Sequence, residues 1–543
     1  MPAHVHAPVP AAPAARARDA EGSEGSLPLV LAGLFALGVL ISGFTILRGG
    51  APFDEGIVLQ AARRVATGEL PYRDFDWAYG PAQPYLLGAS FDAFGTSLLG
   101  WRVIRVLCDA GVAVVVYVLV RRGASPRLAL VAWLAAACAM AQPTSAAPTA
   151  TALLLGLLAL AVATPAPTPR GVVAAGVLTA LAIAWRLDFG LYAGLAVSLA
   201  LALEPRRPSD RARRLALFLA TGAALAVLAY LPFLVATGPA ELYASLLGDA
   251  LADRDHWTLP FPLSYGGGFS AWPPAELAEK AKDVLDFYVP LLLVAGLAVG
   301  VAAAALARPR LAAPAALALL AFAACGLAYL LSRADELHTA PLLVTLSAAL
   351  ALLAARLLRP GAGGAAKAVG AACLAVLALM SLSGVLNRFS ALVQPPALAT
   401  IDLPAADGVK APPEEAAALE RTVRAVQRTV PPDRPIYTVT ARSDLVRFNQ
   451  PLIYVLAERD NPTPIDYGLQ TGAAEQRRLV TRLRRARPAA VVRWLDPITT
   501  LREPNLRGRP SGSRTLDAYL EQEYRRASRF GDYELLLPRT PAG

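Results

Sequence analysis

Long apolar runs separated by short polar loops fill most of the chain up to about residue 390. They fall near 28–47, 103–120, 127–141, 149–163, 171–187, 190–203, 215–235, 287–306, 311–331, 341–358 and 367–387. A bilayer-crossing helix needs about 20 mostly apolar residues, so the pattern predicts about eleven membrane-spanning helices. The runs at 127–141 and 190–203 are short and fit a re-entrant or tilted segment as well. Residues 1–26 are rich in Ala and Pro and read as a disordered tail, too polar for a signal peptide.

The loop between the first two runs has a pattern of its own. Ile57, Val58, Ala61, Ala62 and Val65 recur at helical spacing, with Gln60, Arg63, Arg64 and Thr67 on the other face. This predicts a short amphipathic helix from Glu55 to Thr67 lying on the membrane surface. The segment GELPYRDFDWAYGP follows, crowded with acids and aromatics.

From about residue 395 the periodicity changes. EEAAALERTVRAVQRTV reads as a helix, IYTVT as a strand, PLIYVLAER as a helix and AAEQRRLVTRLRRARP as a basic helix. AAVVRW reads as a buried strand, TLDAYLEQEY as a helix and YELLLPR as a last strand. The alternation predicts a small soluble α/β domain over 395–543, which the spans at 27–394 display.

Composition agrees. The chain has 543 residues, of which 17% are charged, and a mean hydropathy of +0.46; a soluble protein carries about 25% charge. The net charge of +10 is spread over short loops, which points to membrane topology and away from nucleic acid. With the N-terminus inside, Arg121, Arg122, Arg127, Arg170, the arginines of 206–214, Arg308, Arg310, Arg356, Arg359 and Lys367 all fall in inner loops. The positive-inside rule is then obeyed throughout, the span number is odd, and the C-terminal domain lies outside. The four cysteines, Cys108, Cys138, Cys325 and Cys373, sit in apolar runs without metal or disulfide spacing.

The same topology gathers ionisable residues on the outer face. Asp54, Glu55, Asp74 and Asp76 share the first outer loop, 48–102. Asp188 ends the fifth span, Asp249, Asp253, Asp255 and His256 occupy the long loop 237–286, and Arg333, Asp335, Glu336 and His338 occupy another. Asp109 is the exception, inside the second span. A charge there costs roughly 2.5–3.5 kcal/mol, so a partner such as Arg105, one turn away, is expected. Asp54 also fits an N-cap and Glu55 a first-turn acid favoured by the helix dipole. The aromatic segment also fits an ordered turn at the membrane interface.

An acidic pair opening an amphipathic helix after the first span, then Gly68-Glu69-Leu70-Pro71-Tyr72, Asp74, Asp76 and Gly80-Pro81, resembles the GT-C superfamily of membrane glycosyltransferases. The likeness is to the protein mannosyltransferase, aminoarabinose transferase and RgtA-like group. It covers about the first 390 residues in architecture, and its motif is short. The resemblance implies a multi-pass protein of a bacterial plasma (inner) membrane that takes a sugar from a polyprenyl-phosphate donor. The acceptor would be a glycan, lipid or protein of the cell envelope, with Asp54 as the essential acid.

The residue types suit that chemistry. A carboxylate within hydrogen-bond reach can take the acceptor hydroxyl's proton, and others can stabilise an oxocarbenium-like centre, which makes Asp54, Glu55, Asp74 and Asp76 the candidate catalytic acids. A polyprenyl phosphate leaving group calls for positive charge, from Arg186 in WRLDFG, Arg333 in SRADELH and His338. An arginine at a helix end is also a common snorkelling anchor, and the SRADELH cluster also fits a solvated turn. His256, Tyr72 and Tyr79 are candidates for a substrate loop. Asp54, Asp76, His256 or His338 could ligate a hard metal, but no diagnostic spacing calls for one, so no cofactor is expected. Gly266-Gly267-Gly268 lacks the context of a nucleotide loop.

Other functions fit in part. A transporter or flippase of lipid-linked sugars predicts midplane charges and repeated halves, and neither is evident. A scaffold displaying the C-terminal domain leaves the acidic loop unexplained. A polysaccharide polymerase or ligase would share the architecture.

Overall fold

The computed structural model describes residues 27–50, 52–140, 149–252, 254–262, 274–307, 314–445, 449–466 and 471–539. The N-terminal tail, Asp253 and the glycine triplet lie outside the described residues.

Helices stand at all eleven apolar runs. They are α1 (Leu27–Gly43), α4 (Leu98–Arg121), α5 (Pro126–Met140), α6 (Thr149–Val162), α7 (Pro169–Trp185), α8 (Leu187–Ala202) and α9 (Pro208–Thr237). After α10 (Pro274–Asp283) come α11 (Val289–Ala307), α12 (Pro314–Ser332), α13 (Glu336–Leu357) and α14 (Gly364–Val393). Six of the described helices are long and apolar enough to cross a membrane: α4, α9, the helix running through Lys280–Gly300, α12, α13 and α14. The other five, α1 and α5–α8, are apolar but shorter, at 14–17 residues. Small residues line the tightest contacts. Ala129, Ala132, Ala135 and Ala136 of α5 are fully buried, which lets α13 and α14 approach closely.

Polar caps fix several starts. Ser97 accepts from the Gly100 amide at α4, Thr168 from the Gly171 amide at α7, and Asp335 from the His338 amide at α13. Within the bundle Asp109 accepts a 2.6 Å hydrogen bond from the Ser42 hydroxyl of α1. Among the described residues its hydrogen-bond partner is thus on a neighbouring helix, with Arg105 as a nearby charge.

The first loop holds two helices, α2 (Asp54–Ala66) and α3 (Ala82–Phe94), which pack on each other. The amphipathic pattern places α2 correctly, but α2 does not lie on a membrane surface. Its residues 55–62 are all buried. The polar face expected to meet head groups meets protein: Arg64 pairs with Asp466 at 2.6 Å and donates to the Thr463 carbonyl, and Arg63 pairs with Asp460. Gly56 explains how close this docking is, because a Cβ there would sit 2.4 Å from the Leu452 amide nitrogen. α3 has no hydrophobic periodicity strong enough to separate it from the loop, and it was missed.

The C-terminal unit is a four-stranded sheet with helices. Its strands β3 (Ile436–Thr440), β4 (Ala490–Trp494), β5 (Tyr524–Phe530) and β6 (Tyr533–Pro538) follow the order β3-β4-β6-β5. β3 and β4 are parallel, with β6 and β5 added antiparallel. A separate pair, β1 (Ala399–Thr400) and β2 (Lys410–Ala411), joins the unit to the chain after α1 through Gly49 and Leu47. α15 (Pro413–Thr429), α16 (Leu452–Ala457), α17 (Ala473–Ala486) and α18 (Thr515–Glu523) complete it. Every strand and helix expected here is present. β5 was missed because YRRASRF carries three arginines on an exposed edge.

Candidate active site

Asp54 opens α2, but it caps nothing: the helix begins after Phe53 without a side-chain cap. The carboxyl is half-buried, and burial raises its pKa to about 6, with Asp335 and Glu55 adding and Arg333 opposing. A carboxylate held without a hydrogen-bonding partner in the cap, and poised near neutrality, is suited to accept a proton.

Four of the other predicted residues, Tyr79, Arg186, Arg333 and His338, join in one chain of contacts, of which Arg333 and Tyr79 lie near Asp54. Arg186 is the one extended residue between α7 and α8. It forks onto Asp188 at 2.8 and 3.0 Å, and its guanidinium lies over the rings of Tyr329 (4.8 Å), Tyr79 (5.1 Å) and Phe189 (5.2 Å). Tyr79 links this cation to Asp54: burial pushes its hydroxyl up, Arg186 opposes, and Asp54 and Asp188 add. Tyr329 stacks on His338 with ring centroids 4.3 Å apart, and His338 Nδ1 is 2.6 Å from Asp335. Burial raises the Asp335 carboxyl, but His338 and Arg333 outweigh it and hold the pKa below the usual value. The chain of contacts therefore runs Asp188, Arg186, Tyr329, His338, Asp335, Arg333, with Tyr79 and Asp54 on one side.

Close backbone approach makes this geometry. The Gly80 amide donates to the Trp185 carbonyl, and a Cβ at Gly80 would stand 2.1 Å from the Ala184 carbonyl oxygen. The loop carrying Tyr79 is thus pressed against the end of α7, where Arg186 emerges. Tyr72 holds that loop from beneath. It is buried, has φ +68°, donates to the Tyr79 carbonyl at 2.6 Å and meets Phe233 edge-on. It supports the loop that carries Tyr79.

The remaining predicted residues stand elsewhere. Glu55 is fully buried and forms a bidentate pair with Arg102 at 2.6 and 2.7 Å. Arg102 also donates to the carbonyls of Ile46 and Gly49, so the pair ties α2 to α4 and to the end of α1. Both Glu55 oxygens accept from Arg102. Asp74 closes a turn, accepting from the Leu70 amide, and Arg73 holds its carboxyl below the usual range. The protein packed around the Asp76 carboxyl raises its pKa to about 6, with Asp249, Asp466 and Glu241 adding and Arg482 opposing. The Asp76 amide donates to the Pro464 carbonyl of the C-terminal unit. His256 meets the C-terminal unit. Its carbonyl accepts from Asn505, while the neighbouring Trp257 carbonyl accepts from Arg333.

Two participants were not anticipated from sequence. Tyr329 reads as an ordinary apolar residue of α12. Glu503 comes from the C-terminal unit and accepts both Arg333 terminal nitrogens, at 3.3 and 2.5 Å. Arg333 is therefore occupied by Asp335 and Glu503 in this state. Among the described residues no three His, Cys, Asp or Glu side chains gather as metal ligands.

The helical bundle, with a helix opened by an acidic pair in its first loop and a C-terminal sheet unit, has a fold already seen in solved structures. Two solved structures with this fold match over nearly the whole chain. One is ArnT from Cupriavidus metallidurans bound to undecaprenyl phosphate, with a TM-score of 0.52, 14% identity, and coverage of 94% of this chain and 97% of that one. The other is the same protein in the apo state, with a TM-score of 0.53, 14% identity, and coverage of 95% and 98%. At this identity the likeness is one of fold. By sequence, the chain matches no family model and no curated protein.

Proposed function

We propose that this chain is a membrane glycosyltransferase that moves a sugar from a polyprenyl-phosphate carrier to an acceptor hydroxyl. The observation that carries the proposal is the meeting of Asp54, with its raised pKa, and the Arg186, Arg333 and His338 cluster at one end of a GT-C bundle. In the reaction the acceptor oxygen attacks the anomeric carbon and its proton passes to Asp54. The bond from the anomeric carbon to the phosphate oxygen breaks, and polyprenyl phosphate leaves with the electron pair. Arg186 supplies fixed positive charge near the leaving phosphate, since its aromatic cage and Asp188 already hold it in place. Arg333 supplies a second fork once phosphate replaces Glu503. Tyr72 and Tyr79 shape the wall between base and cation, and His256 lines the entrance. A glycan, lipid or protein of the envelope serves as acceptor on the outer face of a bacterial plasma membrane, and no cofactor is part of the scheme. The solved neighbour's undecaprenyl phosphate supports the donor class.

The test is transfer of radiolabelled sugar from polyprenyl-phosphate donors by the purified protein in vesicles, with and without EDTA. Label moving to a hydroxyl acceptor, unaffected by EDTA, is the expected result. No transfer from any common donor would remove the proposal.

A further inference from the structure

A cavity lies at the end of the bundle opposite Asp54. Arg102, which pairs with Glu55, and Arg121 at the end of α4 are 19 residues apart on one helix (121 − 102); at about 1.5 Å per residue that is roughly 28 Å. α13 likewise starts beside Asp335 and ends at the same cavity. The cavity holds about 770 Å³ between the α4–α5 turn and the ends of α13 and α14.

Its lining has two parts. Four guanidiniums, Arg121, Arg122, Arg127 and Arg359, ring it, and no carboxylate lines it. Arg122 is pinned, donating to the Ala161 and Thr164 carbonyls at the end of α6. The side chains of Arg121, Arg127 and Arg359 are exposed and make no hydrogen bond or ion pair among the described residues. Leu128, Val131 and Leu374 form the other wall, facing the bundle. The nearby acid Glu204 does not serve these arginines, because Arg206 and Arg214 take it. Positive charge that served only topology would need neither a concavity nor an apolar wall.

We infer that this cavity is a binding site for an anionic phospholipid of the adjoining leaflet. The phosphodiester sits among Arg121, Arg127 and Arg359, and the first acyl carbons lie along Leu128, Val131 and Leu374. A cluster of uncompensated arginines between helix ends, with an apolar flank, matches both halves of such a lipid. The site is separate from the transfer chemistry and does not depend on it.

The test uses the full-length protein in detergent, titrated with phosphatidylglycerol or phosphatidylcholine and read by native mass spectrometry. Phosphatidylglycerol is expected to bind at least about tenfold tighter, and the preference should fade between about 0.05 and 0.5 M salt. The triple variant R121Q/R127Q/R359Q should lose affinity for it on the order of a hundredfold, as three surface guanidiniums imply. Equal binding of the two lipids overturns the inference, as does a salt-independent preference or full affinity in the triple variant. Inorganic phosphate at millimolar concentration should fail to displace the lipid; displacement would make this a free-phosphate site and overturn the lipid assignment. The salt titration on the unmodified protein decides the matter even where the triple variant does not fold.

Discussion

Replacing Asp54 with Asn separates a catalytic acid from a structural one, because the two predict opposite effects on stability. Burial raises the Asp54 pKa from 3.8 to about 6. The folded state therefore binds this proton more tightly than the unfolded one, and stability falls as pH rises from about 4 to 6. At pH 7.5 the group is ionised and the full penalty is present. A shift of 6 − 3.8 = 2.2 units corresponds to about 3 kcal/mol at 1.36 kcal/mol per unit, an upper bound given the partial exposure. Asp54→Asn removes that penalty, so its melting midpoint at pH 7.5 should rise while transfer falls by about 10²–10⁴. In the parent protein the pH profile should have an acid limb near 6, leaving about a tenth of the activity at pH 5. Donor phosphate adds negative charge and moves that limb upward. A limb at or below pH 4, or an Asp54→Asn protein that is less stable yet active, would refute the assignment.

Other substitutions follow from the same geometry. Glu55→Gln leaves Arg102 buried without its carboxylate and should cost about 3–5 kcal/mol, seen as loss of folded protein in membranes; a stable, inactive Glu55→Gln would return Glu55 to the chemistry. Glu503→Gln weakens the competitor for Arg333, so the donor KM should fall by up to about tenfold with kcat little changed. An unchanged KM would mean that Arg333 does not meet the donor. Arg186→Lys keeps the charge but loses the fork onto Asp188 and the planar stack among Tyr79, Phe189 and Tyr329. Its kcat should drop by about 10²-fold or more without loss of folded protein, and near-normal kinetics would leave Arg186 as a helix-end anchor.

What the sequence discloses and what it hides divides along the range of the forces involved. The apolar helices follow from local hydropathy, which is why each run found its helix. Alternation likewise exposes β3, β4 and β6, whose residues are largely buried. Helical spacing finds α2 as well, but the apolar and polar faces of an amphipathic helix look the same whether lipid or protein covers them. Only the partners of Arg63 and Arg64 on the C-terminal unit decide between the two, and those lie about 400 residues away. The acids of the first loop divide for the same reason. Asp54 and Glu55 are neighbours of one type, and nothing local says that Arg102, 47 residues on, neutralises one and leaves the other poised. The cations were easier to find, since an arginine beside an acid at a helix end is a local signal in both WRLDFG and SRADELH. Their availability was not: Glu503 is one carboxylate in a basic stretch with no motif around it, and it becomes significant only because the fold sets it on Arg333. In the proposed scheme the donor site is thus governed from the C-terminal unit, through Glu503 on Arg333 and Asn505 on the carbonyls of Asp255 and His256. Loosening that contact, by substrate or by substitution, should open the site without moving Asp54, because α2 is held independently by the Arg64–Asp466 pair and the Leu452 contact.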